Sequence, residues 1–131
     1  MTKRLTGYLS AFLLIFFTAA PHALAQDVIV VEPGENDHEA IQLALIEVSP
    51  GGTVVLGEGT FRLSDGLSLD VDGVTVRGLG KYRTVLSFKG QETGGEGLLV
   101  TSDDVTLSSF AVEDTRGDGI KAKDVTGIKM L

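Results

Sequence analysis

Three stretches of the chain repeat one another: Gly66–Val76 (GLSLDVDGVTV), Gly97–Leu107 (GLLVTSDDVTL) and Gly119–Ile128 (GIKAKDVTGI). Each opens on a glycine, alternates apolar and polar residues, passes through an Asp-containing turn, and restarts with Val-Thr. The opening glycines lie 31 and 22 positions apart. A strand–turn–strand unit of this size cannot bury its apolar face alone, so successive copies must stack.

The alternation assigns faces. Leu67, Leu69 and Val71 alternate with Ser68, Asp70 and Asp72, and Val74 and Val76 alternate with Thr75 and Arg77, as half-buried strands require. Further short strands are predicted at 27–31, 53–56, 60–63, 85–88, 98–101, 105–108, 110–113, 120–123 and 125–129. Two inward columns are expected: Leu67, Leu98 and Ile120 in one, and Val74, Val105 and Val125 in the other. Asp72-Gly73 and Asp103-Asp104 occupy turns, where Asx side chains bond the backbone. The first interval exceeds the second by nine residues, and the excess is expected in a loop over Lys89–Gly97, which has no periodicity.

A helix is predicted from Glu35 to Val48, because Ile41, Ala44, Leu45 and Val48 fall on helical spacing. Asn36 or Asp37 can cap it, with Glu39 three residues beyond Asn36, and Ser49-Pro50-Gly51-Gly52 ends it. Such an amphipathic helix would plug the open end of a stack of coils, where unpaired strand edges need cover.

Before this lies a leader. Lys3 and Arg4 precede an apolar run, Leu9–Ala20, and Ala23-Leu24-Ala25 follows as a small-x-small site. The pattern reads as a secretory signal peptide over 1–25, with a mature chain starting at Gln26. An intact mass that retains Met1 to Ala25 in exported protein would overturn this. The run has 12 residues, short of the ~20 that span a bilayer. No stable membrane anchor is therefore expected after cleavage, and the expected location is periplasmic or extracellular. Losing Lys3 and Arg4 takes the formal charge from −7 to −9. Nucleic acid is excluded as a partner on this balance, since phosphates demand Lys and Arg. The chain has no cysteine, hence no disulfide.

The residues resemble a known family. Val74-Thr-Val-Arg-Gly-Leu-Gly80 followed by Thr84-Val85-Leu86, the run Pro50-Gly-Gly-Thr-Val-Val-Leu56 with Gly59-Thr60-Phe61, and Asp118-Gly119-Ile120 are similar to the first coils of the pectate-lyase-like superfamily. The resemblance runs from about Asn36 to Leu131. It implies an all-β fold: a right-handed parallel β-helix (solenoid) with an N-terminal capping helix. The expected organisation is 1–25 signal peptide, 26–50 strand and capping helix, and 51–131 helix coils. It also implies polysaccharide lyases, epimerases and hydrolases among the relatives, and adhesins besides.

No catalytic set is legible. A lyase base would be Lys, Arg, His or Tyr, with a cation at the uronate carboxylate. His38 falls in the predicted helix, where a solvated role explains it. Lys81, Tyr82 and Arg83 form a basic turn that can touch an anionic sugar or simply link two strands. Glu113, Asp114 and Asp118 are the densest carboxylates, of a kind that suits calcium, although turn chemistry also accounts for Asp118. Ser68, Asp70 and Asp72 are evenly spaced outward groups, as on any exposed strand face. No cofactor site is evident.

The expectation is an exported β-helix protein that binds or processes polysaccharide. The rival readings are a non-enzymatic adhesin or structural module, and a periplasmic accessory protein for metal or cofactor delivery. Val125–Leu131 starts a strand with no cap after it. The sequence therefore reads as an N-terminal portion of a longer β-helix, with an exposed edge open to self-association.

Overall fold

Alternation of single apolar residues with polar ones leaves each short segment one face to bury, and the chain buries it by winding. The computed structural model describes residues 27–131; the predicted leader lies outside them. Strand β1 (Val28–Val31) leads into helix α1 (Asp37–Glu47). Three strands per turn follow: β2 (Thr53–Leu56), β3 (Gly59–Arg62) and β4 (Leu67–Leu69); then β5 (Thr75–Arg77), β6 (Thr84–Ser87) and β7 (Leu98–Val100); then β8 (Thr106–Ser108), β9 (Ala111–Glu113) and β10 (Ile120–Ala122). Strand β11 (Lys129–Met130) starts another turn.

Counterparts from successive turns pair in parallel. The first sheet runs β1-β2-β5-β8-β11, the second β3-β6-β9 and the third β4-β7-β10. The architecture is thus a solenoid-like stack of parallel, mostly β, coils with one short helix. Inward columns fill its axis. Val54, Val76 and Leu107 stack in the first sheet, Phe61, Leu86 and Val112 in the second, and Leu67, Leu98 and Ile120 in the third. All but Val112 and Ile120, which pack against this core from its partly exposed rim, are buried. Each fully buried aliphatic side chain stabilises by roughly 1.5–3 kcal/mol.

The third-sheet column is the one expected. The other is not: Val74 stacks under Val105, but β8–β11 pairing (Thr106 with Lys129) puts Ile128 above Val105, not Val125. The reason is backbone geometry at the turn. Gly51, Gly73, Asp104 and Gly127 all take left-handed φ, between 58° and 82°. Hydrogen bonds from Gly51 N to Asp72 O, Gly73 N to Asp103 O and Asp104 N to Thr126 O stack these corners. Gly127 therefore stands over Asp104, and the turn claims Val125 and Thr126. Asp124, also left-handed at φ 57°, takes up slack before it. The corners are stitched further by side chains: Asp72 Oδ1 accepts from Asp103 N at 2.9 Å, and Asp103 Oδ1 from Thr126 N at 3.0 Å.

The nine extra residues are also divided differently. Ten positions separate Arg77 from Ser87, against five between their partners Ser108 and Glu113. Eleven separate Ser87 from Leu98, against seven between Glu113 and Ile120. Five of the nine thus sit in the β5–β6 corner and four in the loop before β7. Buried Thr84 holds the first of these insertions: its Oγ1 accepts from Leu79 N at 3.0 Å and donates to Gly57 O at 2.9 Å.

Helix α1 covers the lower edge of the first coil through three side chains. Asp37 is buried, accepting from Gly34 N through Oδ1 at 2.6 Å and from Arg62 N of β3 through Oδ2 at 2.7 Å. His38 Nε2–H donates to Gly66 O at 3.0 Å; a carbonyl only accepts, so this nitrogen carries the proton. Gln42 donates from Nε2 to Ser68 O and accepts from Ser68 N, both at 2.9 Å, imitating a neighbouring strand on β4. Helix α1 thus lies against β3 and β4, on the side where a cover is expected. Asn36 is the N-cap by position and its side chain makes no capping bond. The helix is also less one-sided than its spacing suggested, since Leu43 and Ile46 are exposed opposite buried Ile41, Ala44 and Leu45.

Candidate functional site

The third sheet presents its outward face as a column of Ser68, Leu99 and Lys121, in register across β4, β7 and β10. Period-two alternation puts them there, because Leu67, Leu69, Leu98 and Val100 are buried inward. Two open clefts meet at Ser68. One, of about 190 Å³, lies between this face and the loop before β7; Asp65, Gln91, Glu96 and Leu99 line it. The other, of about 410 Å³, lies against α1 and includes Gln42, Ile46, Asp70 and Val71.

The loop is shaped by close contacts. Gly97 N donates to Asp118 O, and Leu67 N donates to Gly97 O. A Cβ on Gly97 would press onto the Gly119 carbonyl and the Phe88 ring, so only glycine lets the chain pass here. Gln91 is buried within the loop, and its Nε2 donates to Glu96 O at 2.9 Å. Its Oε1 is buried and has no hydrogen-bond partner.

The electrostatics of the cleft are anionic. The Gly66 N–H, then the Thr93 hydroxyl, hold the Asp65 carboxyl below its usual 3.8, with the His38 ring adding a smaller pull. Glu96 lies below its usual 4.5 through its own backbone N–H first and Lys121 second. Lys121 Nζ is 3.3 Å from Glu96 Oε2 and 3.9 Å from Asp118 Oδ2, so the one cation in the outward column is already paired. Both depressed groups support the fold when ionised. Their contribution is whole above their usual values and is lost as pH falls through the lower folded ones. Amide exchange in the loop 89–97 is accordingly expected to quicken below about pH 4. Exchange rates flat from pH 6 to pH 3, after correction for intrinsic chemistry, would show that these carboxylates do not order the loop.

The residues singled out in the sequence scatter. Lys81, Tyr82 and Arg83 project from the corner between the first and second sheets, away from the third. There Tyr82 is 87% exposed, Lys81 Nζ stands 5.1 Å from its ring centroid, and Arg83 pairs with Glu58 at 3.0 Å. Glu113 ends β9 and Asp114 turns with left-handed φ, while Asp118 reaches Lys121. Among the described residues no three His, Asp or Glu side chains converge as a metal-holding group. His38 is engaged with the Gly66 carbonyl and adjoins the site as a strut. Of the outward groups, Ser68 and Asp70 line the clefts, whereas Asp72 is spent on the corner ladder.

Asp65, Gln91 and Glu96 were not foreseen. The Lys89–Gly97 loop was, and Asp65-Gly66 marks its neighbour in the coil below; pairing Leu67 with Leu98 already sets Gly66 beside Gly97. Fold and cleft define a stacked-coil parallel β protein with a grooved outer face. A scan of family models and searches of the curated proteins and of the solved structures find no match to the chain.

Proposed function

We propose that this is an exported protein of right-handed parallel β-helix type that binds polysaccharide along the outward face of its third sheet. The observation that carries the reading is the double cleft meeting at Ser68. It sets a half-buried apolar floor, Leu99, between polar walls from Gln42, Asp70, Asp65 and Glu96. A sugar ring needs that combination, with its C–H face on an apolar side chain and its hydroxyls among fixed polar groups. The right hand follows from the general rule for parallel crossovers. Export rests on the 1–25 leader.

At this cleft, binding is favoured over glycoside hydrolysis by Asp65 and Glu96. Glycoside hydrolysis needs a carboxyl kept protonated as general acid, and Asp65 and Glu96 are both pushed the other way. A glycan array probed with the mature chain is expected to retain at least one polysaccharide class. Ser68→Trp, which fills the junction of the two clefts, is expected to remove that signal without lowering the melting temperature. Absence of any retained glycan, or equal retention by Ser68→Trp, defeats the reading. Release of unsaturated uronate from a bound polymer would instead establish a lyase.

A further inference from the structure

We infer that the corner projection at Lys81-Tyr82 docks into the groove between β1 and α1 of a second copy of this chain, joining two molecules as a reciprocal pair. The inference concerns a different surface from the polysaccharide reading and does not depend on it. The groove, of about 360 Å³, is lined by Ile29, Val30, Ala40 and Leu43, with Glu32 and Glu47 among its walls. Val30 is 58% exposed and Leu43 is 50% exposed, so the floor is apolar and uncovered. Neither Glu32 nor Glu47 has a cation partner among the described residues. The groove also borders an open strand edge, because β1 ends its sheet. Asp27 O and Val31 O accept from Thr53 N and Gly57 N, so alternation turns the Val28 and Val30 backbone groups away from β2 and onto that edge.

The projection has the complementary character. Its tip carries Tyr82, almost wholly exposed, with Leu79 40% exposed beside it. Lys81 pairs with no carboxylate among the described residues and rests on the Tyr82 ring instead. The backbone beneath the tip is fixed. Arg83 N and Thr84 N both donate to Gly80 O, at 2.9 and 2.8 Å, and Gly80 N donates to Ser109 O of the next coil at 2.8 Å. Arg83 is held by Glu58 and braces the projection. An aromatic side chain on a stiff loop gives up little freedom when it docks. Tyrosine suits a half-wet site, with an apolar ring for Val30 and Leu43 and a hydroxyl for the free carbonyls of the β1 edge. Lys81 then meets the Glu32 and Glu47 carboxylates.

Two grooves cannot face each other, because Glu32 and Glu47 would meet their own like charge. The chain itself carries the matching surface, and close by. The Glu32 carboxylate lies against Gly57, and the next residue, Glu58, holds Arg83, so groove and projection flank one corner. A two-fold axis there lets each copy give its projection and receive the other's, which closes the pair instead of growing a fibre. The mature charge of −9 on each copy opposes the approach and keeps the pair weak.

The test is analytical ultracentrifugation of the mature chain from about 10 µM to about 1 mM, where a monomer–dimer equilibrium is expected with a dissociation constant on the order of 100 µM. Tyr82→Ser is expected to abolish the dimer over that range, as loss of a central aromatic anchor does. Lys81→Glu is expected to weaken it about tenfold, and Glu47→Lys added to Lys81→Glu to bring it back within about threefold of the parent. Lys123→Glu makes the same change in net charge beyond β10, far from the corner, and should leave the dimer intact. A monomer at every concentration overturns the inference. So does an association that Tyr82→Ser and Lys81→Glu leave untouched, as pairing through the open edges of β1 or β11 would give. A double variant no better than Lys81→Glu alone overturns it as well.

Discussion

Val105→Asp is expected to abolish cooperative melting of the upper coils, while Thr106→Asp next to it leaves the melt almost unchanged. Val105 is fully buried in a column between Val74 and Ile128. An aspartate there would be a buried carboxylate with no partner, at a cost of about 4 kcal/mol or more. Thr106 faces outward on β8 and pairs in register with Thr75 and Lys129. An aspartate at that position stays solvated beside a cation, within about 0.5 kcal/mol of the parent. Thermal and urea melts of the two variants separate the faces. Equal losses would mean that inside and outside are exchanged, as a one-residue slip of register requires.

Asp37→Ala is expected to release helix α1 from the first coil. Both carboxylate oxygens accept backbone N–H groups, one from Gly34 and one from Arg62. Two charge-assisted bonds of this kind together contribute roughly 3–5 kcal/mol. Their loss also leaves two partly buried backbone donors without this partner and loosens the cover over Ile41, Leu45 and Val48. Asp37→Asn keeps one acceptor and should lose about half as much. Hydrogen exchange at the Arg62 amide reports the break directly. Unchanged exchange at Arg62 in the Ala variant would place the anchoring of the helix elsewhere, on His38 and Gln42.

Strand positions and the third-sheet column were legible because alternation survives without tertiary knowledge. Leu67, Leu98 and Ile120 follow the opening glycines at constant offset. The second column failed at its last member for a reason visible in hindsight. Leu67 to Val74 and Leu98 to Val105 each span seven positions, but Ile120 to Val125 spans five. The Val-Thr match outweighed that mismatch, whereas the left-handed corner fixes the true alignment through Gly127. Asn36 and Asp37 were both caps by residue type; Asn36 holds the N-cap position without a capping bond, and Asp37 reaches the adjacent coil. The cleft was only half legible. Its loop stood out as aperiodic, but Asp65, Gln91 and Glu96 become neighbours only once coils stack, and no local pattern encodes that proximity.

The helix at the lower edge has a kinetic meaning as well. Every strand pair joins residues only 22 to 31 positions apart, so each new turn closes a loop of modest entropy and needs just the turn before it as template. Among the described residues, strand β1 and helix α1 precede that first turn and lie beneath it. A chain delivered N-terminus first would therefore present its own seed before the segments that grow on it. Structure would then propagate in one direction, one coil at a time, with a single growing edge exposed at any moment.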